Sequence, residues 1–227
     1  MKHMPQLNRR AFVLGTAAAG AGLAFGFDVP FGGPTAVRGA DGAPEVNAWV
    51  VIRPDDTVVI RIARSEMGQG TLTGLAQLVA EELECDWNKV TTEYPTPGQS
   101  AARKRPWGSF NTGGSIGIRA SQQYVRRGGA AARVMLIQAA ANEWNVSVDE
   151  CTAANSVITH TPTGRTVTYG KVVEAAARLE PPTDVKLKDP KDWKIVGKSM
   201  KRLDTADKTT GKMIYGIDVK LPGMLSA

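Results

Sequence analysis

The stretch Val58 to Glu84, VVIRIARSEMGQGTLTGLAQLVAEELE, constrains the fold more than any other part of the chain. Val58, Val59, Ile60 and Ile62 are β-branched and read as a strand. From about Thr71 the apolar residues Leu72, Leu75, Leu78, Val79 and Leu83 recur at helical spacing. Between the two patterns stands Gly68-Gln69-Gly70, behind Met67. A strand therefore turns directly into a helix, and the fold class is α/β, with helices and sheet mixed. Glycine lets the backbone approach a ligand closely. Free N–H groups at Thr71, Leu72 and Thr73 would face an anion, which the helix dipole favours. Thr112-Gly113-Gly114-Ser115 repeats the device: hydroxyl, two glycines, hydroxyl, helix start. Tight strand-to-helix turns also use glycine without any ligand, so the local pattern leaves a binding role and a structural role both open.

The rest of the chain supplies more elements. Two β-branched runs around Pro54-Asp55-Asp56 form a hairpin from about Val46. Lys89 to Pro95 offers a short strand. A long helix is expected from Ser115 to Trp144. It contains Gly128-Gly129, and each glycine costs about 1 kcal/mol relative to Ala in a helix interior. Either the helix breaks there or another backbone packs very close. Asn155 to Gly170 reads as a second hairpin, and Lys171 to Leu179 as a short helix. Residues 181–200 are polar, charged and Pro-containing, as in a linker. Residues 201–227 begin a further unit, with a strand and a turn expected from Gly211 on. A main domain of residues 46–180 results, preceded by a leader over residues 1–40.

That leader has two adjacent arginines, Arg9 and Arg10, followed by no charge from Ala11 to Phe27. The apolar run is too short and too rich in Gly and Ala for a stable membrane span. Its form is that of a signal peptide, and Arg-Arg-Ala-Phe-Val-Leu resembles a twin-arginine export signal. Half of the net charge of +6 also sits in residues 1–40, where four basic residues face one acid. The remaining bias is too small to argue for a nucleic-acid groove.

Most site chemistries are excluded. Two cysteines, Cys85 and Cys151, cannot build a disulfide scaffold and read as small buried hydrophobes. The histidines His3 and His160 stand in no metal-ligand spacing, and His160 reads as a solvated hairpin residue. No Ser occupies a nucleophile elbow. Glu81 and Glu82 are adjacent on a helix, point apart, and read as solvated charges rather than an acid–base pair. Arg103-Lys104-Arg105 reads as a solvated basic run.

The segment SEMGQGTLTGLAQLVAEELECDW resembles the molybdopterin-binding segment of the xanthine dehydrogenase and aldehyde oxidoreductase family, in particular the large subunit of the isoquinoline 1-oxidoreductase type. The resemblance continues through RPWGSFNTGGSIGIRASQQYVRRGGAAARVMLIQAAANEW and on through LKDPKDWKIVGKSMKRLDTADKTTGKMIYGIDVKLPGMLSA. It implies that residues 46–180 are part of a molybdopterin-binding domain, and that residues 201–227 open a hammerhead α/β domain. It assigns cofactor contact to Met67, Gly68, Gln69 and Gly70, with the Gln69 amide on polar edges of the cofactor. It assigns phosphate or nucleotide contact to Thr112, Gly113, Gly114 and Ser115.

The resemblance further implies a molybdenum hydroxylase that oxidises an aldehyde or N-heterocycle with oxygen from water. Its cofactor would be molybdopterin cytosine dinucleotide, with the metal held by the cofactor's own sulfurs. The 2Fe–2S clusters would reside in a small partner subunit, since this chain has no cysteine set for them. A cytochrome c subunit is a further partner of such enzymes. Export would place the protein in the periplasm, with association to the inner membrane allowed. The family's catalytic glutamate lies near the end of a much longer chain. No catalytic residue is therefore assigned here, Glu66 included, and this chain alone is expected to be inactive. Two other readings remain: a non-catalytic exported subunit whose glycine turns are structural, and a periplasmic nucleotide-binding protein.

Overall fold

The computed structural model describes residues 42–225, so the leader with Arg9-Arg10 lies outside the described residues. Four strands form the first sheet: β1 (Glu45–Asn47), β2 (Val50–Ile52), β3 (Val58–Arg61) and β4 (Val90–Glu93), in that spatial order. The expected hairpin is β2–β3, paired antiparallel from Val50↔Ile60 to Ile52↔Val58. β3 and β4 pair in parallel, from Val58↔Val90 to Arg61↔Glu93. A parallel pair needs a crossover, and helix α1 (Thr71–Leu83) provides it.

β2 and β3 read as continuous apolar runs because both of their faces are covered. Val50, Ile52, Val58 and Ile60 point into the main core, while Val51 and Val59 close over Ala43 on the other side. After the short helix α2 (Pro97–Ala102), helix α3 (Gln122–Trp144) lies against α1. A second sheet follows, β5 (Cys151–Ala154), β6 (Val157–His160) and β7 (Arg165–Thr168), all antiparallel. Helix α4 (Tyr169–Ala176) packs on α3, and α5 (Thr205–Thr209) is a single short helix. No helix among the described residues is long and apolar enough to cross a membrane.

Gly128 and Gly129 take the second of their two alternatives. The helix runs unbroken through them. A Cβ on Gly129 would stand 2.4 Å from the carbonyl oxygen of Val79 in α1, and one on Gly128 would stand 2.5 Å from Trp49. The pair lets α3 approach both α1 and the β1–β2 turn. Asn47 Nδ2 adds a hydrogen bond to the Gly128 carbonyl at 2.8 Å.

Several expectations are corrected. Helix α3 starts at Gln122 rather than Ser115, because Ser115 adopts a left-handed φ of +53° that an α-helix cannot continue. Glu81 and Glu82 are not solvated: they are 2% and 0% exposed. Residues 188–196 lie on top of them. The Glu81 carboxylate receives the Lys188 ammonium and the N–H groups of Lys194 (2.9 Å), Ile195 (2.6 Å) and Val196 (3.0 Å). Glu82 receives Arg126 Nε at 2.8 Å and the Lys188 N–H at 3.1 Å. The polar stretch expected to be a linker is thus strapped to α1 by two buried carboxylates.

His160 is buried as well, 4% exposed, with Nδ1 2.7 Å from Thr163 Oγ1 and its ring against Trp144. Arg103 is not merely solvated, since it pairs with buried Glu45 and lies over the Trp107 ring. Both cysteines are free and buried, as their composition suggested. Residues 211–225 form no strand, only a 3-10 turn at Gly216–Asp218. Ile214, Ile217, Leu221 and Leu225 stand exposed there, with no neighbouring strand among the described residues to pair with.

Candidate functional site

The two glycine loops come together. They are more than 40 positions apart in sequence, yet Met67, Gln69, Thr71, Thr112, Gly113, Gly114, Ser115 and the following Ile116, Gly117 and Ile118 line one open cleft of about 460 Å³. The Ser65 N–H donates to Thr112 Oγ1 at 2.9 Å and ties one loop to the other. Arg64, buried behind them, donates to the Asn111 carbonyl and, at 3.1 Å, to Ser121 Oγ. The second loop also seats on α1. A Cβ at Gly117 would stand 3.1 Å from Thr71 Oγ1, and one at Gly74 would stand 3.0 Å from Ile118. Small residues at both positions set the distance between the loops.

The first loop carries its own anion. Glu66 Oε1 accepts the N–H groups of Gly68 (2.7 Å) and Gly70 (3.0 Å), and Oε2 accepts that of Leu72 (3.1 Å). Of the Thr71, Leu72 and Thr73 N–H groups expected to face an anion, that of Leu72 is taken by this carboxylate of the same chain. Gly68 (φ +105°) and Gly70 (φ +86°) face Glu66 through their peptide groups and do not line the cleft. Burial works against charge on Glu66, but the Gly70, Leu72 and Gly68 N–H groups and the Arg202 guanidinium outweigh it. They hold its carboxyl below the usual carboxylate range. A carboxylate so engaged is a structural anchor and a poor proton acceptor.

The Gln69 side chain bonds within the loop. Its Nε2 donates to the Ser65 carbonyl at 2.9 Å and its Oε1 accepts the Met67 N–H at 2.6 Å. Met67 itself is 68% exposed at the mouth of the cleft.

The second loop is the open one. The peptide N–H groups of Gly113, Gly114 and Ser115 have no acceptor among the described residues, and neither does the Ser115 hydroxyl. Thr112 Oγ1 accepts from Ser65, which leaves its own hydrogen free to donate outward. A Cβ at Gly113 or Gly114 would meet nothing closer than 3.9 Å. Successive unpaired N–H groups beside hydroxyls suit an anion or a polar heterocycle. No carboxylate lines the cleft to oppose one. Among the described residues, no three of His, Cys, Asp and Glu come together to hold a metal ion directly.

Sequence reasoning missed Glu66, Arg202 and Tyr94 as loop supports. Tyr94 OH accepts the Glu66 N–H at 3.2 Å, and Arg202 reaches the loop from 136 positions away. A carboxylate two residues before a glycine is the one local signal that points to Glu66. Nothing local points to Arg202.

A family model for the molybdopterin cofactor-binding domain matches residues 5–219. A membrane-bound aldehyde dehydrogenase (pyrroloquinoline-quinone) of Gluconacetobacter polyoxogenes is 33% identical, over 99% of this chain and 29% of its own length. The isoquinoline 1-oxidoreductase subunit beta of Brevundimonas diminuta is 30% identical, over 98% of this chain and 33% of its own. The crystal structure of quinoline 2-oxidoreductase from Pseudomonas putida 86 aligns at 18% identity with a TM-score of 0.39, over 61% of this chain and 17% of that one. The chain spans about a third of the length of these curated relatives. The match over nearly the whole sequence agrees with the resemblance carried by the Met67–Gly70 and Thr112–Ser115 motifs, and the chain belongs to the molybdopterin cofactor-binding domain family, among the xanthine dehydrogenase-type molybdenum proteins.

Proposed function

We propose that the cleft between the two glycine loops holds part of a molybdenum cofactor, and that this chain is a portion of the cofactor-binding subunit of a molybdenum hydroxylase acting on an aldehyde or N-heterocycle. The observation that carries the reading is the convergence of both loops on one cleft that has unpaired donors and no carboxylate. The donor set fits the group. Thr112, Gly113, Gly114 and Ser115 would hold a phosphate through N–H and O–H donors, while Met67 and Gln69 would border the pterin. The cytosine dinucleotide form is the one we assign. When bound, the cofactor supplies a metal centre for hydroxylating a C–H bond with oxygen from water. This chain's residues bind and orient the cofactor, and Glu66 holds the loop instead of moving a proton. The catalytic glutamate, a small 2Fe–2S subunit, a cytochrome acceptor and a periplasmic location reached by twin-arginine export complete the proposal.

The test is the content of the full-length protein isolated in its native assembly. The proposal expects molybdenum and releasable cytidine nucleotide in equal amounts. The quinone in the name of one relative supplies the contrary result: extractable quinone with no molybdenum would overturn the reading. Nucleotide without molybdenum would favour a nucleotide-binding protein, and neither would favour a structural subunit. Replacing Arg9-Arg10 by Lys-Lys should retain the protein in the cytoplasm, and unchanged export would refute the twin-arginine assignment.

A further inference from the structure

Arg202 lies beyond the strap, in a segment that sequence reasoning gave no part in the cleft. Its guanidinium reaches back to the first glycine loop. Nη1 donates to the Gly68 carbonyl at 2.9 Å, and Nη2 donates to Glu66 Oε1 at 3.0 Å. Nε and Nη2 also donate to the two Asp204 oxygens at 3.0 and 3.1 Å. Asp204 is buried, and it is held in turn by Lys208 at 2.6 Å. The neighbouring Leu203 N–H donates to Thr73 Oγ1, in the first turn of α1, at 3.1 Å. One planar fork therefore joins three parts: the loop backbone, the carboxylate that organises the loop, and the segment carrying α5.

We propose that Arg202 is a positioning residue, a latch that sets the shape of the Met67–Gly70 loop and couples it to the segment after the strap. The loop's other supports are the Gln69 bonds to the Ser65 carbonyl and the Met67 N–H, and the bond from the Glu66 N–H to Tyr94. Gly68 has a φ of +105°, where only glycine rests easily, and a Cβ there would touch nothing within 4 Å. The side chains that reach Gly68 are Glu66, at its N–H, and Arg202, at its carbonyl. The loop keeps its form through Glu66, and Glu66 is half of an ion pair whose other half is Arg202. Lysine could replace the charge. It could not replace the fork, because an ammonium on a flexible stem does not span Gly68 O, Glu66 and Asp204 in one plane. Movement of the segment around Asp204 would reach the loop through Arg202 and the first turn of α1 through the Leu203–Thr73 bond. The effect on cofactor loading rests on the cofactor reading of the cleft, whereas the effect on the loop does not.

The experiment uses the full-length protein with Arg202→Met and, as the conservative variant, Arg202→Lys. Two quantities are read: amide hydrogen exchange at Gly68, Gly70 and Leu72, and molybdenum per chain. The latch predicts a rise of tenfold or more in exchange at those amides in Arg202→Met, with α3 amides unchanged. Arg202→Lys should fall between Arg202→Met and the wild type. Molybdenum content should fall severalfold in Arg202→Met and less in Arg202→Lys. Wild-type exchange at the loop in both variants would overturn the latch, as would an equal rise across α3, which marks a general loss of structure. A loop-specific rise in Arg202→Met, together with a wild-type protein that carries no molybdenum, would leave the latch standing and remove the cofactor reading. If Arg202→Met does not fold, Arg202→Lys decides alone: unchanged loop exchange would overturn the proposal.

Discussion

Gly129→Ala tests the seam that positions α1, and with it the first loop. The added Cβ would stand 2.4 Å from the Val79 carbonyl oxygen and 3.1 Å from Glu82 Cβ. Ordinary C···O contacts lie at about 3.3–3.6 Å, so the helices must separate by about 1 Å. The obstacle is backbone, which cannot rotate away as a side-chain tip would. Overpacking of this kind costs about 1–3 kcal/mol, and a rigid carbonyl argues for the upper end. Replacing glycine by alanine inside a helix returns up to about 1 kcal/mol. The net expectation is a loss of about 2 kcal/mol. Gly98→Ala in α2 is the control, since its Cβ would lie 3.9 Å from the nearest atom, Thr96 Oγ1, and its φ is not left-handed. There the propensity gain stands alone, and stability should rise by up to about 1 kcal/mol. The assay is chemical denaturation of the cofactor-free full-length protein, followed by tryptophan fluorescence. Equal stabilisation by both substitutions would refute the contact between α1 and α3.

Glu66→Gln should destabilise the loop by about 2 kcal/mol at pH 7, because it removes a charged acceptor of three N–H groups. The folded pKa of Glu66 lies below its unfolded value, so this stabilisation is complete above about pH 4.3 and is lost as pH falls through the folded pKa. Denaturation of both proteins at pH 7 and pH 3.5 should show the gap narrowing, and a gap independent of pH would contradict the assignment. Glu81→Gln should free residues 188–196, because three backbone N–H groups and the Lys188 ammonium converge on that buried carboxylate. Limited trypsin digestion should cut after Lys191 and Lys194 at least ten times faster than in the wild type. Unchanged cutting would show that the strap is held elsewhere.

What the sequence discloses and what it hides divide along sequence distance. The α1 stripe of Leu75, Leu78, Val79 and Leu83 is legible because one local period decides which face is buried. The β2–β3 hairpin is legible because its turn lies between its two strands. Gly128-Gly129 shows that a close approach exists without showing to what, since Val79 and Trp49 lie at least 49 positions away. Glu81 and Glu82 read as solvated because their partners are distant in sequence: Arg126 stands 44 positions beyond Glu82, and the others more than 100 positions on, in a stretch that is polar by composition. Arg202 is hidden for the same reason. Residues 112–115 are legible as a glycine loop but not as a turn detached from α3, because the left-handed φ of Ser115 leaves no mark on residue type. The motifs themselves, Met67–Gly70 and Thr112–Ser115, identify the family from sequence, and only the structure shows them sharing one cleft.

The central claim is that this cleft holds the molybdenum cofactor, and molybdenum content in cleft variants tests it most directly. Gly113→Val places a side chain over the cleft without a left-handed φ to strain, and Gly114→Val does so with one. Gly164→Val, in the β6–β7 turn, has a similar left-handed φ of +68° but does not line the cleft, so it controls for strain alone. Full-length Gly113→Val and Gly114→Val proteins should carry little or no molybdenum, while Gly164→Val should carry the wild-type amount. Wild-type molybdenum in both cleft variants would contradict the account.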